Sequence, residues 1–370
     1  MLTQDLTIAV PLLPSQTGPL ALRVGLTLSL AALLALACES LGTPLPWMIG
    51  PLVGTAVACM LGLPLASAGP LRNAGQWAIG AALGLYFTPQ VVGIVASHAG
   101  AIVAGIVWAL AIGMAFGVFL RYSNPHIAGL DRATTFFSSA IGGASEMAVL
   151  ADRHGGRVDL VASAHSVRIM IVVLTIPFGF QFAGVHGLDP FIPGPARVSP
   201  TGLLGLIAVT GAVSLLLQKL NKPNPWVLGS LAAAATLTAS GVELSALPRW
   251  MTNLGQLFIG VALGTRFTPA FVHTAPRWLF TVAAGTLATI VASAGFAWCL
   301  ARWAGLHPAT VLLGTSPGGI AEMCITAKVL QLGVPIVTAF HVTRMTAVVL
   351  LAGPLFRWSE GRRAAVRPGR

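Results

Sequence analysis

Residues 73–89 read NAGQWAIGAALGLYFTP, and residues 253–269 read NLGQLFIGVALGTRFTP. Eleven of the 17 positions are identical without a gap, at an offset of 180. LPWMIGPL at 45–52 returns as NPWVLGSL at 224–231, and GGASEM at 142–147 returns as GGIAEM at 318–323. Shared apolar composition cannot produce ungapped agreement at Asn, Gln and Glu. The chain is therefore one unit used twice, and its fold must be two copies of that unit. The Gly- and Pro-rich stretch GVHGLDPFIPGPARVSP is the natural linker. The expected division is a lead-in at 1–19, a first membrane repeat at 20–183, the linker at 184–200, a second membrane repeat at 201–356 and a basic tail at 357–370.

Composition places the unit in a bilayer. Only 8% of the 370 residues are charged and 55% are hydrophobic, with mean hydropathy +0.84. A soluble domain carries about 25% charged residues. Apolar runs of about 20 residues, the length of a spanning helix, fall near 20–38, 46–63, 72–88, 97–120, 132–151 and 158–180. A second series falls near 201–218, 225–242, 249–266, 279–300, 309–330 and 334–356. The expected class is an all-α polytopic membrane protein. The formal charge of +11 is scattered between apolar runs, which fits topology signals better than a nucleic-acid stripe. Cys38, Cys59, Cys299 and Cys324 form no C-x-x-C pair and read as small buried hydrophobes. The start of the chain lacks a positive n-region, so no signal peptide is expected.

Two topologies compete. Six crossings per half give parallel repeats. If the GG-x-x-EM segment dips in and returns, each half crosses five times and the second half is inverted. With both termini inside, six crossings place 11 basic residues inside and 7 outside. Five crossings move Arg153, Arg157, Lys219, Lys222, Arg266 and Arg277 inside and Arg197, Arg249 and Arg302 outside, giving 14 against 4. The positive-inside rule prefers five spans plus one re-entrant helical hairpin per half.

Each half ends with the same polar set. Glu146 and Glu322 stand 19 residues before His165 and His341, which stand three residues before Arg168 and Arg344. Residues at i and i+3 leave one helix face. Ionisable groups at membrane depth mark a functional site or an internal pairing. Gly142-Gly143 and Pro317-Gly318-Gly319 break a helix there, and a broken helix offers N–H groups with partial positive charge to an anion. The candidate binding residues are thus Gly142, Gly143, Ser145, Glu146, His165, Arg168, Gly318, Gly319, Glu322, His341 and Arg344. In the alternative, Glu146 neutralises Arg168 and Glu322 neutralises Arg344, bracing each hairpin. Gly80–Gly84 and Gly260–Gly264 have the spacing of close helix packing. Gln76 and Gln256 either bond across helices or line a path.

LPWMIGPL, GQWAIGAALGLYFTP, GGASEMAVLADRHG with HSVR, and TSPGGIAEMCITAKVLQLG with HVTR resemble the AbrB-type duplicated membrane protein family. The resemblance covers about residues 20–356. It implies a duplicated membrane architecture, and its members carry the labels ammonia monooxygenase, regulator of gene expression or transport protein. Many members are expected to have glutamine where this chain has His165 and His341.

A copper or iron oxidase needs several His and carboxylate ligands within reach of one another, and no such spacing occurs. A DNA-binding regulator needs a soluble recognition module, and no stretch could hold one. The expected function is a permease for a small, anionic solute, working by alternating access with an ion on Glu146 or Glu322. A membrane sensor that affects gene expression indirectly is the second reading, and a metal-dependent monooxygenase the third. No enzyme activity, metal, cofactor or direct nucleic-acid partner is expected. The expected location is the bacterial cytoplasmic membrane, with a cytoplasmic C-terminus; self-association is left open.

Overall fold

The computed structural model describes residues 19–127, 130–187, 191, 193–194, 197–269, 271 and 275–366, with side chains up to residue 359. Among these residues the chain is helical and has no strand. The first half holds α1 (Leu20–Ser40), α2 (Pro46–Met60), α3 (Gly69–Gly84), α4 (Pro89–Ser97), α5 (Ala99–Ser123), α6 (Arg132–Ser139), α7 (Ala144–Arg153) and α8 (Val158–Phe182). The second holds α9 (Pro200–Lys219), α10 (Pro225–Ala239), α11 (Arg249–Gly264), α12 (Pro276–Ala304), α13 (Pro308–Thr315), α14 (Ile320–Val329) and α15 (Val334–Val366). Among the described residues six helices, α1, α5, α8, α9, α12 and α15, are long and apolar enough to cross a membrane. The shorter α2 and α10 are apolar as well. The chain is a multi-pass membrane protein. The lead-in at 1–18, parts of the linker, His273 and the last four residues lie outside the described residues.

Two features differ from the sequence expectation. The run at 72–88 does not lead directly into the next span. It turns by 89° into α4, a nine-residue helix whose first turn is capped by Thr88, which accepts from the Val91 N–H at 3.4 Å. The last helix also runs on from the second repeat to Val366, through most of the basic tail.

The runs at 132–151 and 309–330 are each broken in two. The end of α7 comes back to the start of α6. The Arg157 N–H donates to Thr134 Oγ1 at 2.7 Å, and a methyl group on Gly156 would sit 3.1 Å from Thr134 N. In the second half a methyl group on Gly333 would sit 2.7 Å from Thr310 Cγ2. Each pair is thus a hairpin whose two ends meet, with its glycine tip pointing away from them.

Helices α2, α3, α10 and α11 interleave across the halves, with α1 packed on α2 and α9 on α10. Glycines set the spacing. A Cβ on Gly84 would lie 2.6 Å from Leu231 O, one on Gly260 2.6 Å from Met48 O, and one on Gly264 2.5 Å from Leu52 O. The G-x-x-x-G stripes are therefore contact faces, as their spacing suggests. Gly80 and Gly84 meet residues 227 and 231 in rising order, so α3 runs alongside α10 in the same sense. Gly260 and Gly264 meet residues 48 and 52 in the same way, so α11 runs alongside α2. Gly75 of α3 meets its own counterpart Gly255 of α11, where the two helices cross. On one side of that crossing the start of α3 and the end of α11 line one cavity; on the other, the end of α3 and the start of α11 line another.

Candidate functional site

The hairpin tips owe their break to residues that cannot continue a helix. Gly143 (φ −66°, ψ 135°) and Gly319 (φ −82°, ψ 161°) are the extended N-caps of α7 and α14. In the second copy Pro317 also removes an N–H donor. Breaking a helix in a bilayer orphans carbonyls at the end of the first half-helix and N–H groups at the start of the second.

The histidines and arginines take the carbonyls. His165 Nε2 lies 2.9 Å from Phe137 O, and Arg168 Nη1 donates to Ala140 O at 3.0 Å. His341 Nε2 lies 2.8 Å from Leu313 O, and Arg344 donates to Ser316 O at 2.5 Å and to Gly318 O at 2.8 Å. Each arginine also reaches its own histidine, with Arg168 Nη2 2.8 Å from His165 Nδ1 and Arg344 Nη2 2.9 Å from His341 Nδ1. A guanidinium has donors only, so Nδ1 accepts. The proton then sits on Nε2, which donates to the carbonyl. The positive guanidinium also lies at the negative end of a half-helix. All four side chains are buried.

The eleven residues singled out by sequence therefore divide. Neither glutamate lies within ion-pair distance of Arg168 or Arg344, so the carboxylate–guanidinium brace is not what holds the hairpins. The arginines bond backbone carbonyls and their histidines instead, and the buried Nε of each has no partner. His165, Arg168, His341, Arg344 and Gly318 are not among the residues that line the cavity at the tips. Gly142, Gly143, Ser145, Glu146, Gly319 and Glu322 do converge, on one cavity with about 110 Å³ of room for the centres of water-sized spheres.

Four further polar residues line that cavity: Arg72 and Gln76 of α3, Asn224 before α10, and Arg266 after α11. Asn224 is held in the left-handed region (φ 43°), as is its counterpart Leu45 (φ 49°), each just before a helix-starting proline. Asparagine tolerates this conformation far better than leucine does. Gln76 lines this cavity, and its counterpart Gln256 lines the second cavity beyond the crossing, with Arg249 and Lys328. The signal that marks Arg72 and Arg266 in the sequence is broken symmetry. Their counterparts at offset 180 are Thr252 and Tyr86.

The profile described as transition state regulatory protein AbrB matches residues 47–360. The chain belongs to the AbrB family. Two relatives cover most of it. The "Uncharacterized protein YhjN" of Bacillus subtilis (strain 168) is 25% identical over 342 residues, 85% of this chain and 88% of its own. The "Putative regulator AbrB" of Escherichia coli (strain K12) is 24% identical over 340 residues, 90% of this chain and 95% of its own. The AbrB match takes in both hairpins, both arginine–histidine pairs and the α3–α11 crossing. Among the described residues no group of three or more His, Cys, Asp or Glu side chains is placed to hold a metal ion.

Proposed function

We propose that this AbrB-family protein is a permease for a small anionic solute, with the cavity between the hairpin tips as its binding site. The observation that carries the reading is convergence. Two broken helices from different halves bring their N-termini to one cavity that also holds the guanidiniums of Arg72 and Arg266. Half-helix N-termini at a repeat interface suit an anion, and two arginines add charge that a bilayer protein rarely carries at depth without a partner.

The same reading takes the halves as inverted repeats working by alternating access in the bacterial cytoplasmic membrane, with the C-terminus inside. Helices α3 and α11 are counterparts, yet the start of one meets the end of the other. Hairpins that return to their own starting side leave five spans per half, an odd number, which reverses the second half. Two cavities on opposite sides of one crossing are what exchange of access needs.

Purified protein in liposomes tests this with a panel of labelled carboxylates, phosphate and sulfate. Arg72→Ala and Arg266→Ala are expected to reduce flux at least tenfold. Flux unchanged in both variants overturns the site. A sensor without flux is the second reading, favoured by the word "regulator" in the name of the Escherichia coli relative. It expects a ligand that stabilises the protein yet never crosses the bilayer.

A further inference from the structure

The positive ends of both half-helices at the cavity are already covered. Glu146 is the third residue of α7 and Glu322 the third of α14. In each copy the carboxylate folds back over its own N-cap glycine, and a Cβ on Gly143 or Gly319 would collide with the glutamate's Oε2. This is the placement a third-position glutamate takes when it reaches back to its helix start. The GG-x-x-E spacing thus combines a glycine that leaves room with an acid three residues later that fills it. An incoming anion would compete for the same place at the helix start.

The two copies differ in setting. Glu146 is half-buried, whereas Glu322 is 7% exposed. The groups that face Glu322 are Arg72 from α3, Arg266 after α11 and Glu146 from the other hairpin, with Cys324 on its own helix. No cation lies within ion-pair distance of its carboxylate. A buried carboxylate without a contacting counter-charge is costly, and the cost vanishes when it takes a proton. Both guanidiniums oppose any cation here, but a proton removes the buried charge of the carboxylate outright, whereas a sodium ion would add a second ion to be desolvated.

We propose that Glu322 is a resident anion that the solute replaces: a small oxyanion, of the carboxylate, phosphate or sulfate class, binds the start of α14 with Arg72 and Arg266 as Glu322 takes up one proton. This rests on the reading of the cavity as the transport site. The proton adds to a carboxylate oxygen of Glu322, and the neutral side chain leaves the helix start. The solute's oxygens then accept hydrogen bonds from the N–H groups at the helix start that the side chain uncovers. No covalent bond other than that O–H forms or breaks. For a singly charged solute, the empty and loaded sites carry the same net charge, so both can cross a low-dielectric path. One proton then travels with each anion.

The test uses the purified full-length protein and four probes: acetate, malonate, phosphate and sulfate. Thermal midpoints are titrated with each at pH 5.5 and 7.5, in sodium and in choline buffers. Wild-type affinity for at least one probe is expected to weaken as pH rises, by up to about tenfold per pH unit for a single linked proton. Glu322→Gln should bind that probe equally at both pH values, as tightly as the wild type does at pH 5.5. In weakly buffered solution, binding to the wild type should take up close to one proton per anion, a readout that needs no variant. Arg72→Ala and Arg266→Ala should lose at least tenfold at both pH values. Binding that needs Arg72 but is independent of pH, without proton uptake, overturns the resident anion and leaves the site standing. Binding that needs sodium overturns the proton. Absence of binding by all four probes overturns both the inference and the anionic reading beneath it.

Discussion

Gly143 and Gly319 are kept free of a side chain by an acid three residues further on. Their backbone angles suit any residue, so the need for glycine there is steric, and the obstacle is the flexible end of a side chain. Gly319→Ala should therefore fold, push the Glu322 carboxylate off the helix start and cost about 1 kcal/mol, the worth of a lost cap, read as a lower thermal midpoint. His165 offers a sharper comparison. It accepts from Arg168 with one nitrogen and faces Phe137 O with the other. A glutamine amide offers the same pair, oxygen to accept and NH2 to donate. His165→Gln should thus leave stability nearly unchanged, whereas His165→Leu should lose about 2–3 kcal/mol by leaving a buried carbonyl and a guanidinium N–H unpaired. The expectation that relatives carry glutamine at this position has a structural reason in that exchange. At this scale the sequence made the polar set legible by repeating it, but not its division of labour. Spacing along the chain cannot tell a side chain that faces a cavity from one that turns back to cap a carbonyl.

The elements are organised by what glycine permits. Gly84 lets α3 approach the backbone of α10, and a Cβ there would sit 2.6 Å from Leu231 O, which cannot move aside as a side chain end can. Gly84→Val should cost more than about 3 kcal/mol, as overpacking against backbone does at the severe end. Gly93 in α4 meets nothing within 4 Å, so Gly93→Ala should be neutral or gain up to about 1 kcal/mol. Size-exclusion profiles of the two solubilised variants after stepwise heating check the contrast. The hairpins were legible at this scale because Gly-Gly in a long apolar run has few other uses. The helix at 89–97 was not. It is short, follows directly on a proline, and is apolar enough that nothing separates it from the span behind it. Arg72 and Arg266 passed as topology markers because they stand near segment ends, where basic residues are ordinary.

For the whole molecule, orientation decides everything else. Five spans per half put the linker on the opposite face from both termini, whereas six put it on the same face. Arg197 is exposed, and its carbonyl accepts from the Ala246 N–H at 2.9 Å, so a label there reports a defined place. Arg197→Cys on a background without Cys38, Cys59, Cys299 and Cys324 should react with a membrane-impermeant maleimide from the periplasmic side only. Reaction confined to the cytoplasmic side would place the halves in parallel. The duplication is legible in the sequence, and the one signal there for the sense of the second copy is a bias in scattered arginines and lysines. Helix directions became readable once particular glycines could be matched to particular carbonyls.

At the crossing of α3 and α11, a Cβ on Gly75 would lie 2.7 Å from the carbonyl oxygen of Gly255. At that point the two helices meet main chain to main chain, flanked by Phe258 and Ile259 of one and Ala78 and Ile79 of the other. Where water fills both cavities, the membrane voltage falls mainly across this thin septum rather than evenly through the bilayer. A unit charge gains or loses about 2.3 kcal/mol per 100 mV on crossing. Here that work would be done over a step of roughly one helix diameter, about 10 Å. With one proton carried per singly charged anion no net charge moves in a full cycle, so the voltage would act on the individual crossing steps and not on the overall gradient.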